Sequence, residues 1–197
     1  LHSIRRRQRQ MCIRDRSVKP YQPAGYWQHL NFPARKWQAS QGDELYRRSL
    51  YTFVCRSFPH PAMVAFDAPS REECSAERPR SNIPQQALVL LNDPVFVEAA
   101  KTLAERLLKD GKATDSQRIE KIFSHTLTRK PTKQEETILL ELLAEQRKRY
   151  KNDEKSALEL LSTGVKPVDK SLKPTELAAW TSISRAMLNL YETTARF

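Results

Sequence analysis

The chain has 197 residues, of which 39% are hydrophobic and 29% charged, and its formal net charge is +11. Its longest apolar runs, such as residues 87–91, fall far short of the roughly 20 residues that a membrane-spanning helix needs, so we expect no membrane span. Only four glycines argue against an all-β chain rich in tight turns. Leu, Ala, Glu, Lys and Arg are abundant in the second half and favour helices there.

Residues 1–16 (LHSIRRRQRQMCIRDR) differ in character from the rest and carry +5 of the net charge. They lack the apolar core of a secretory signal. Codons for Met11–Arg16 can spell the transposase mosaic-end adapter of sequencing libraries, so we interpret residues 1–16 as adapter-derived and expect the natural protein to continue upstream. An arginine-rich arm that folds on nucleic acid is the alternative.

The remaining +6 of charge lies among predicted helices in which both signs alternate. This pattern is typical of a solvated surface and does not favour nucleic-acid binding.

Residues 17–35 are rich in proline and aromatic residues and predict an extended segment on the surface of a domain, because Pro20, Pro23 and Pro33 prevent a regular helix. Its aromatic side chains are predicted packing contacts, with a sugar-stacking platform as the alternative. They are Tyr21, Tyr26, Trp27 and Phe32.

Residues 42–57 predict a helix, with an apolar stripe at helical spacing. The stripe consists of Leu45, Leu50, Phe53 and Val54. Pro59 and Pro61 end this helix, and residues 61–81 predict irregular structure.

The rest of the chain predicts helices over residues 85–91, 95–109, 115–127, 132–150, 153–164 and 175–194. Asp93 and Asp115 are predicted caps, and Thr132 with Glu135 forms a capping box. Residues 116–197 therefore predict an antiparallel helical bundle with short loops. We expect residues 17–197 to form a single, mainly α domain, with the irregular part preceding the bundle.

Two long motifs carry a family resemblance: Phe66–Cys74 (FDAPSREEC) and Arg80–Pro94 (RSNIPQQALVLLNDP). They resemble the Planctomycete-specific domain 1 family, also called domain of unknown function 1553. Further similarity lies at Lys19–Gly25, Tyr46–Phe53, Glu176–Trp180 and Arg185–Leu190. Ile83 and Gln85 depart from the threonine and leucine of the family pattern, and Cys55 departs from a basic residue.

The resemblance implies a C-terminal domain of large exported proteins from planctomycetes and related bacteria. Upstream, such proteins carry a second domain of unknown function and often a c-type cytochrome domain. Their genes often lie near sulfatase genes, which suggests handling of sulfated polysaccharide. We therefore expect a periplasmic or cell-surface location, with the upstream domain and polysaccharide as partners. The family has no established activity, so no catalytic residue is carried over.

The cysteines and histidines predict no cofactor or metal site in this chain. Cys55 and Cys74 are 19 positions apart, and neither belongs to the C-x-x-C-H pattern that attaches haem, so haem c is expected only in the upstream part. His29, His60 and His125 are too scattered for a compact zinc site. Export permits a disulfide between Cys55 and Cys74, with two independent thiols as the alternative.

The densest polar group lies in the segment predicted to be irregular, and it has two readings. Its members are Asp67, Arg71, Arg78, Arg80 and Asn82. In the structural reading, these side chains cap helix ends and pair with each other. In the functional reading, the arginines clamp a sulfate or carboxylate of a glycan.

Taken together, the sequence favours a non-catalytic accessory domain of a modular exported protein linked to extracellular polysaccharide use. The alternative is a polysaccharide-processing site that a missing upstream domain completes, and nucleic-acid binding is the poorer alternative. No nucleophile motif of the G-x-S-x-G type is present.

Overall fold

The structure, a computed structural model, describes residues 17–23, 25–29, 37–55, 58–70, 74, 76–77, 79, 81–111 and 113–194. The chain divides into two compact units, Leu1–Gln86 and Ala87–Phe197, which are described separately below. A single domain over residues 17–197 stays a prediction.

In the first unit, the described part is mostly irregular, as predicted. It holds short 3-10 helices at Tyr26–His29, Gly42–Tyr46 and Ser49–Tyr51. Val18 pairs with Thr52 in an isolated parallel bridge, in which the Val18 N–H donates to the Tyr51 carbonyl at 2.8 Å and the Phe53 N–H donates to the Val18 carbonyl at 2.8 Å. This bridge ties the start of the described chain to residues 51–53.

The predicted helix over residues 42–57 is wrong. Over its described residues, 42–55, the backbone forms two 3-10 helices, and Thr52–Cys55 is not helical. Two causes are visible. Thr52, Phe53 and Val54 favour extended backbone, and the bridge to Val18 uses the Phe53 N–H that a helix would need. Leu50, predicted to face the core, is 66% exposed.

Residues 61–81 contain more regular structure than predicted. Helix α1 (Pro61–Ala65) begins with a proline at its first position, where the missing N–H costs no hydrogen bond.

The helices that follow agree closely with the predicted ones. They are α2 (Pro84–Asn92), α3 (Pro94–Lys109), α4 (Asp115–Leu127), α5 (Lys133–Asn152), α6 (Glu154–Ser162), α7 (Pro174–Leu188) and α8 (Tyr191–Thr194). The chain is therefore mainly α, and the packing among the helices from α3 to α8 fits a helical bundle. Among the described residues, no helix combines the length and the apolarity needed to cross a membrane.

Helix α7 lies at the centre of the second unit. Helices α3, α5 and α6 pack against it, and its side chains at Ala178, Trp180 and Ile183 are completely buried. A helix that is buried on most of its surface forms the core on which the other helices place their apolar sides. The bundle also includes α3, which the sequence placed before it, because Ala100 and Ala104 are completely buried.

Local capping signals set most helix starts. The Asp93 side chain accepts from the Val95 N–H, and Thr132 with Glu135 forms the predicted capping box. The predicted cap at Asp115 is wrong by one residue, because Thr114 caps α4. This leaves the Asp115 carboxylate available to basic side chains.

One further prediction needs correction. The last helix is not continuous over residues 175–194, because α7 ends at Leu188 and α8 starts at Tyr191. On α5, Ile138 is 62% exposed, whereas Leu139 and Leu143 are buried. The core stripe of α5 therefore lies one position away from Ile138.

Candidate functional site

The predicted polar cluster is described at two of its five positions. Asp67 has a left-handed backbone with φ 54°. Its carboxylate accepts from the Ser81 N–H at 2.8 Å and from the Ser81 hydroxyl at 2.7 and 2.8 Å. Gln86 Nε2 donates to the Ser81 carbonyl at 3.0 Å. Asp67 thus fixes the chain just before α2.

Of the other members of the cluster, the structure describes only Asn82. Asn82 is exposed, and Arg71, Arg78 and Arg80 lie outside the described residues. Anion binding by these arginines stays a prediction.

Cys55 and Cys74 are both free thiols, the first half-buried and the second exposed. A bridge between them is therefore absent from the structure and stays a prediction. Within the described residues, no group of three or more His, Cys, Asp or Glu side chains could hold a metal ion.

Four described aromatic residues of the first unit pack against one another. Trp27, only 7% exposed, stacks on Trp37 with ring centroids 5.2 Å apart, and its indole N–H donates to Gln22 Oε1. The ring centroid of Phe58 lies 4.8 Å from that of Tyr26 and 6.0 Å from that of Trp27. Trp27 is therefore a packing residue, and its buried rings leave no open face for a sugar.

Ring donors also fasten the proline-rich backbone of this unit. Trp37 Nε1 donates to the Pro20 carbonyl at 2.9 Å, and the Tyr26 hydroxyl donates to the Pro59 carbonyl at 3.1 Å. His60 Nε2 lies 2.8 Å from the Tyr21 carbonyl oxygen, which fits the tautomer protonated at Nε2. His60 is 6% exposed and serves as a satisfied interior histidine.

The second unit contains a buried lysine that the sequence analysis did not single out. Lys101 on α3 is 1% exposed. Its ammonium donates to the carbonyls of Leu161, Thr163 and Lys166, each at 3.0 Å. An ammonium has three N–H donors, so these three carbonyls satisfy it completely. Lys101 thereby ties α3 to the end of α6 and the turn that follows.

Glutamates on either side of Lys101 complete this arrangement. Glu98 Oε2 accepts from the Val165 N–H at 2.6 Å, and Glu105 Oε2 pairs with Lys166 Nζ at 2.6 Å. Both glutamates are buried, at 5% and 2% exposure. We call the set of Glu98, Lys101 and Glu105, together with residues 161–166, the α3 clasp.

The environment of Lys101 in the α3 clasp is that of a structural contact. Burial lowers the pKa of Lys101, and the carboxylates of Glu98 and Glu105 oppose that shift. A lowered pKa is also a feature of nucleophilic lysines, but such a lysine needs a free lone pair within reach of a substrate. Lys101 is buried and donates every N–H to a carbonyl, so it offers no nucleophile in this state.

A second charged network joins α4, α5 and α7. Arg147 donates to the Asp115 carboxylate at 2.6 and 3.1 Å, and its Nε lies 3.0 Å from Glu176 Oε2. The Trp180 indole N–H donates to Glu176 Oε1 at 3.0 Å, and Arg118 pairs with Asp115 at 3.1 Å. The hydrogen bonds from Arg147 lower the pKa of Asp115. One guanidinium thus connects three helices.

An open groove of about 650 Å³ runs beside α4, and paired charges line it. Lys121 pairs with Asp110, and Lys130 lies 3.3 Å from Glu120. The groove is lined by Asp110, Ala113, Gln117, Glu120, Lys121, Ser124, Thr128, Arg129 and Lys130. Because its cations already have carboxylate partners, the groove has little attraction for an anionic ligand.

At the edge of this groove, Arg129 holds two carboxylates. It donates to both oxygens of Glu135, at 3.0 and 2.7 Å, and to both oxygens of Glu192, each at 2.8 Å. These bonds fasten the first turn of α5 to α8. They also lower the pKa of Glu135 to about 2, from its usual 4.5.

This pair predicts an acid-dependent loss of stability. A carboxylate with a lowered pKa stabilises the fold above its unfolded value of 4.5, and this contribution is lost as the pH falls towards about 2. We expect Glu135→Gln, which keeps an acceptor for the cap, to flatten the decrease in the free energy of unfolding between about pH 5 and pH 3 by less than about 1 kcal/mol, because the pair is solvent-screened.

Urea unfolding at both pH values measures this difference. Glu141→Gln, at an exposed position of the same helix, is the matched control and should keep the wild-type slope. Equal slopes for wild type and Glu135→Gln would contradict the assignment.

A comparison with family models places the chain among known sequences. The model described as PSD1, protein of unknown function (DUF1553), matches residues 6–143. This range includes the motifs at Phe66–Cys74 and Arg80–Pro94, starts within the segment interpreted as adapter-derived, and ends before α6 and α7. Among curated proteins and among solved structures, no match was found.

Proposed function

Because the chain belongs to the PSD1 (DUF1553) family of proteins of unknown function, we propose that it is a non-catalytic, accessory domain of a modular exported protein linked to extracellular polysaccharide use. In this proposal, its charged side chains serve the fold and the upstream domain of the same protein is its partner. The exported setting and the polysaccharide link rest on the family resemblance.

The observation that carries the non-catalytic part of the proposal is the state of Lys101. Among the described residues, its burial and its lowered pKa are the features that most resemble those of a catalytic group. All three of its N–H groups nevertheless point to main-chain carbonyls. Arg147 and Arg129 are likewise each held by two carboxylates.

The test of this part is an assay of product formation. The purified chain is incubated with sulfated and neutral polysaccharides, and new reducing ends are measured against a heat-denatured sample. We expect no difference between the two samples. Product that increases in proportion to the folded protein would contradict the non-catalytic proposal and favour the enzyme alternative.

The polysaccharide link needs a separate binding test. Retention of the chain on immobilised sulfated polysaccharide is measured at several salt concentrations, for wild type, Arg71→Ala and Arg106→Ala. Arg106 is an exposed arginine of α3 and is the matched control. If Arg71→Ala is retained more weakly than wild type and Arg106→Ala is not, the result supports recognition by the predicted polar cluster. Equal losses in both variants indicate only general charge attraction, and absent retention contradicts binding by this domain.

A further inference from the structure

The α3 clasp has the composition of a cation site. Three main-chain carbonyl oxygens converge on one point, the position of Lys101 Nζ. Two of them, those of Leu161 and Thr163, lie at the C-terminal end of α6, where the helix dipole is negative. The carboxylates of Glu98 and Glu105 add full negative charges that act on the same point.

We call these three carbonyl oxygens and two carboxylates the cage. One atom of the cage lacks a hydrogen bond within the described structure. Glu105 Oε1 is buried and accepts no hydrogen bond, although Glu105 Oε2 is paired with Lys166. A buried carboxylate oxygen without a donor is costly unless positive charge lies nearby. The ammonium of Lys101 adds a second positive charge that acts on Glu105, beside that of Lys166.

We infer that this cage is a binding site for a monovalent cation of the ammonium type, which the chain fills with the tethered ammonium of Lys101. The distances favour ammonium, because 3.0 Å is the length of an N–H···O hydrogen bond. A calcium ion would need about six to eight oxygens at roughly 2.3–2.6 Å. This inference does not depend on the proposed function.

The inference predicts chemical rescue. Lys101→Ala removes the ammonium and its stem but leaves the carbonyls and both carboxylates, so a free cation of the right size can replace it. Because a ligand that binds only the folded state raises its stability, ammonium or ethylammonium at about ten times its Kd should raise the Tm of Lys101→Ala by about 3 °C. The reference is tetramethylammonium at equal ionic strength, which cannot donate N–H bonds.

Thermal unfolding of three proteins in these salts makes the test specific. Wild type should show the same Tm in all of them, because its site is already filled. Lys101→Met, which fills the space without a charge, should also show no selective response. Lys101→Ala alone should respond to ammonium and ethylammonium.

Each outcome decides the inference. A Lys101→Ala protein that folds only when ammonium or ethylammonium is present would support it as strongly as a shifted Tm. A variant that stays unfolded in every salt, or one whose Tm is equal in all salts, would overturn it. A Lys101→Met protein as stable as wild type would also overturn it, because the cage would then need no cation.

Discussion

Gly164→Ala is expected to lower the free energy of unfolding by about 3 kcal/mol. Gly164 has φ +97°, a backbone conformation that costs an L-residue about 1–2 kcal/mol. An added Cβ would also lie 2.3 Å from Glu98 Oε2 and 2.8 Å from Glu98 Cβ, so that Glu98 would have to leave the Val165 N–H. Urea unfolding followed by circular dichroism measures the change.

Two other glycines separate the causes of this loss. Gly42 has φ +64° but open space around its Cβ position, so Gly42→Ala should show the backbone cost alone, about 1 kcal/mol. Gly111 also has open space, and its φ lies outside the left-handed range, so Gly111→Ala should be within about 0.5 kcal/mol of wild type. If Gly164→Ala lost no more stability than Gly42→Ala, the close approach of Glu98 would have no energetic role.

Arg147→Met is the second large effect, with an expected loss of about 2 kcal/mol. The variant keeps an apolar side chain but leaves Asp115 and Glu176 without their shared guanidinium. Hydrogen bonds to charged groups contribute roughly 1.5–3 kcal/mol, and we take a value below the top of that range because Arg147 is 36% exposed. The midpoint of urea unfolding and its slope give the free energy.

Lys148→Met is the matched control for Arg147→Met. It removes one positive charge at an exposed position of the same helix, so the change in net charge is identical. We expect it to remain within about 0.5 kcal/mol of wild type. Equal losses in the two variants would show that net charge, rather than the contacts to Asp115 and Glu176, accounts for the effect.

Sequence patterns predicted those helices whose ends are determined by residues nearby in the sequence. Asp93 before α3 and the Thr132–Glu135 box before α5 act within three residues of the helix start, so a local pattern is sufficient to find them. The helix predicted over residues 42–57 is wrong because the backbone pairing that replaces it involves a residue far away in the sequence. Val18 pairs with Thr52, 34 positions away, and sequence periodicity carries no information on such a pairing.

The contacts of the candidate site could not be predicted from local patterns either, because they join residues far apart in the sequence. Lys101 binds carbonyls that lie 60, 62 and 65 positions away. Every residue has a main-chain carbonyl, so the residue types do not reveal these contacts. Gly164 is the last residue of the helix predicted over residues 153–164, and its position there does not reveal the close approach to Glu98. The sequence predicts only a capping role for Asp115 and no contact for Arg147, because charged residues on helices usually face solvent.

The central claim, that the buried charge of this chain holds the fold and performs no chemistry, is tested most directly by lysine acylation. The folded chain is treated briefly with acetic anhydride, and modification of each lysine is measured by peptide mass spectrometry. We expect Lys101 to react at least about tenfold more slowly than the exposed Lys148, because its reaction requires opening of the α3 clasp. Lys101 modified as fast as Lys148, or faster, would contradict the claim, since it would show an accessible amine of lowered pKa.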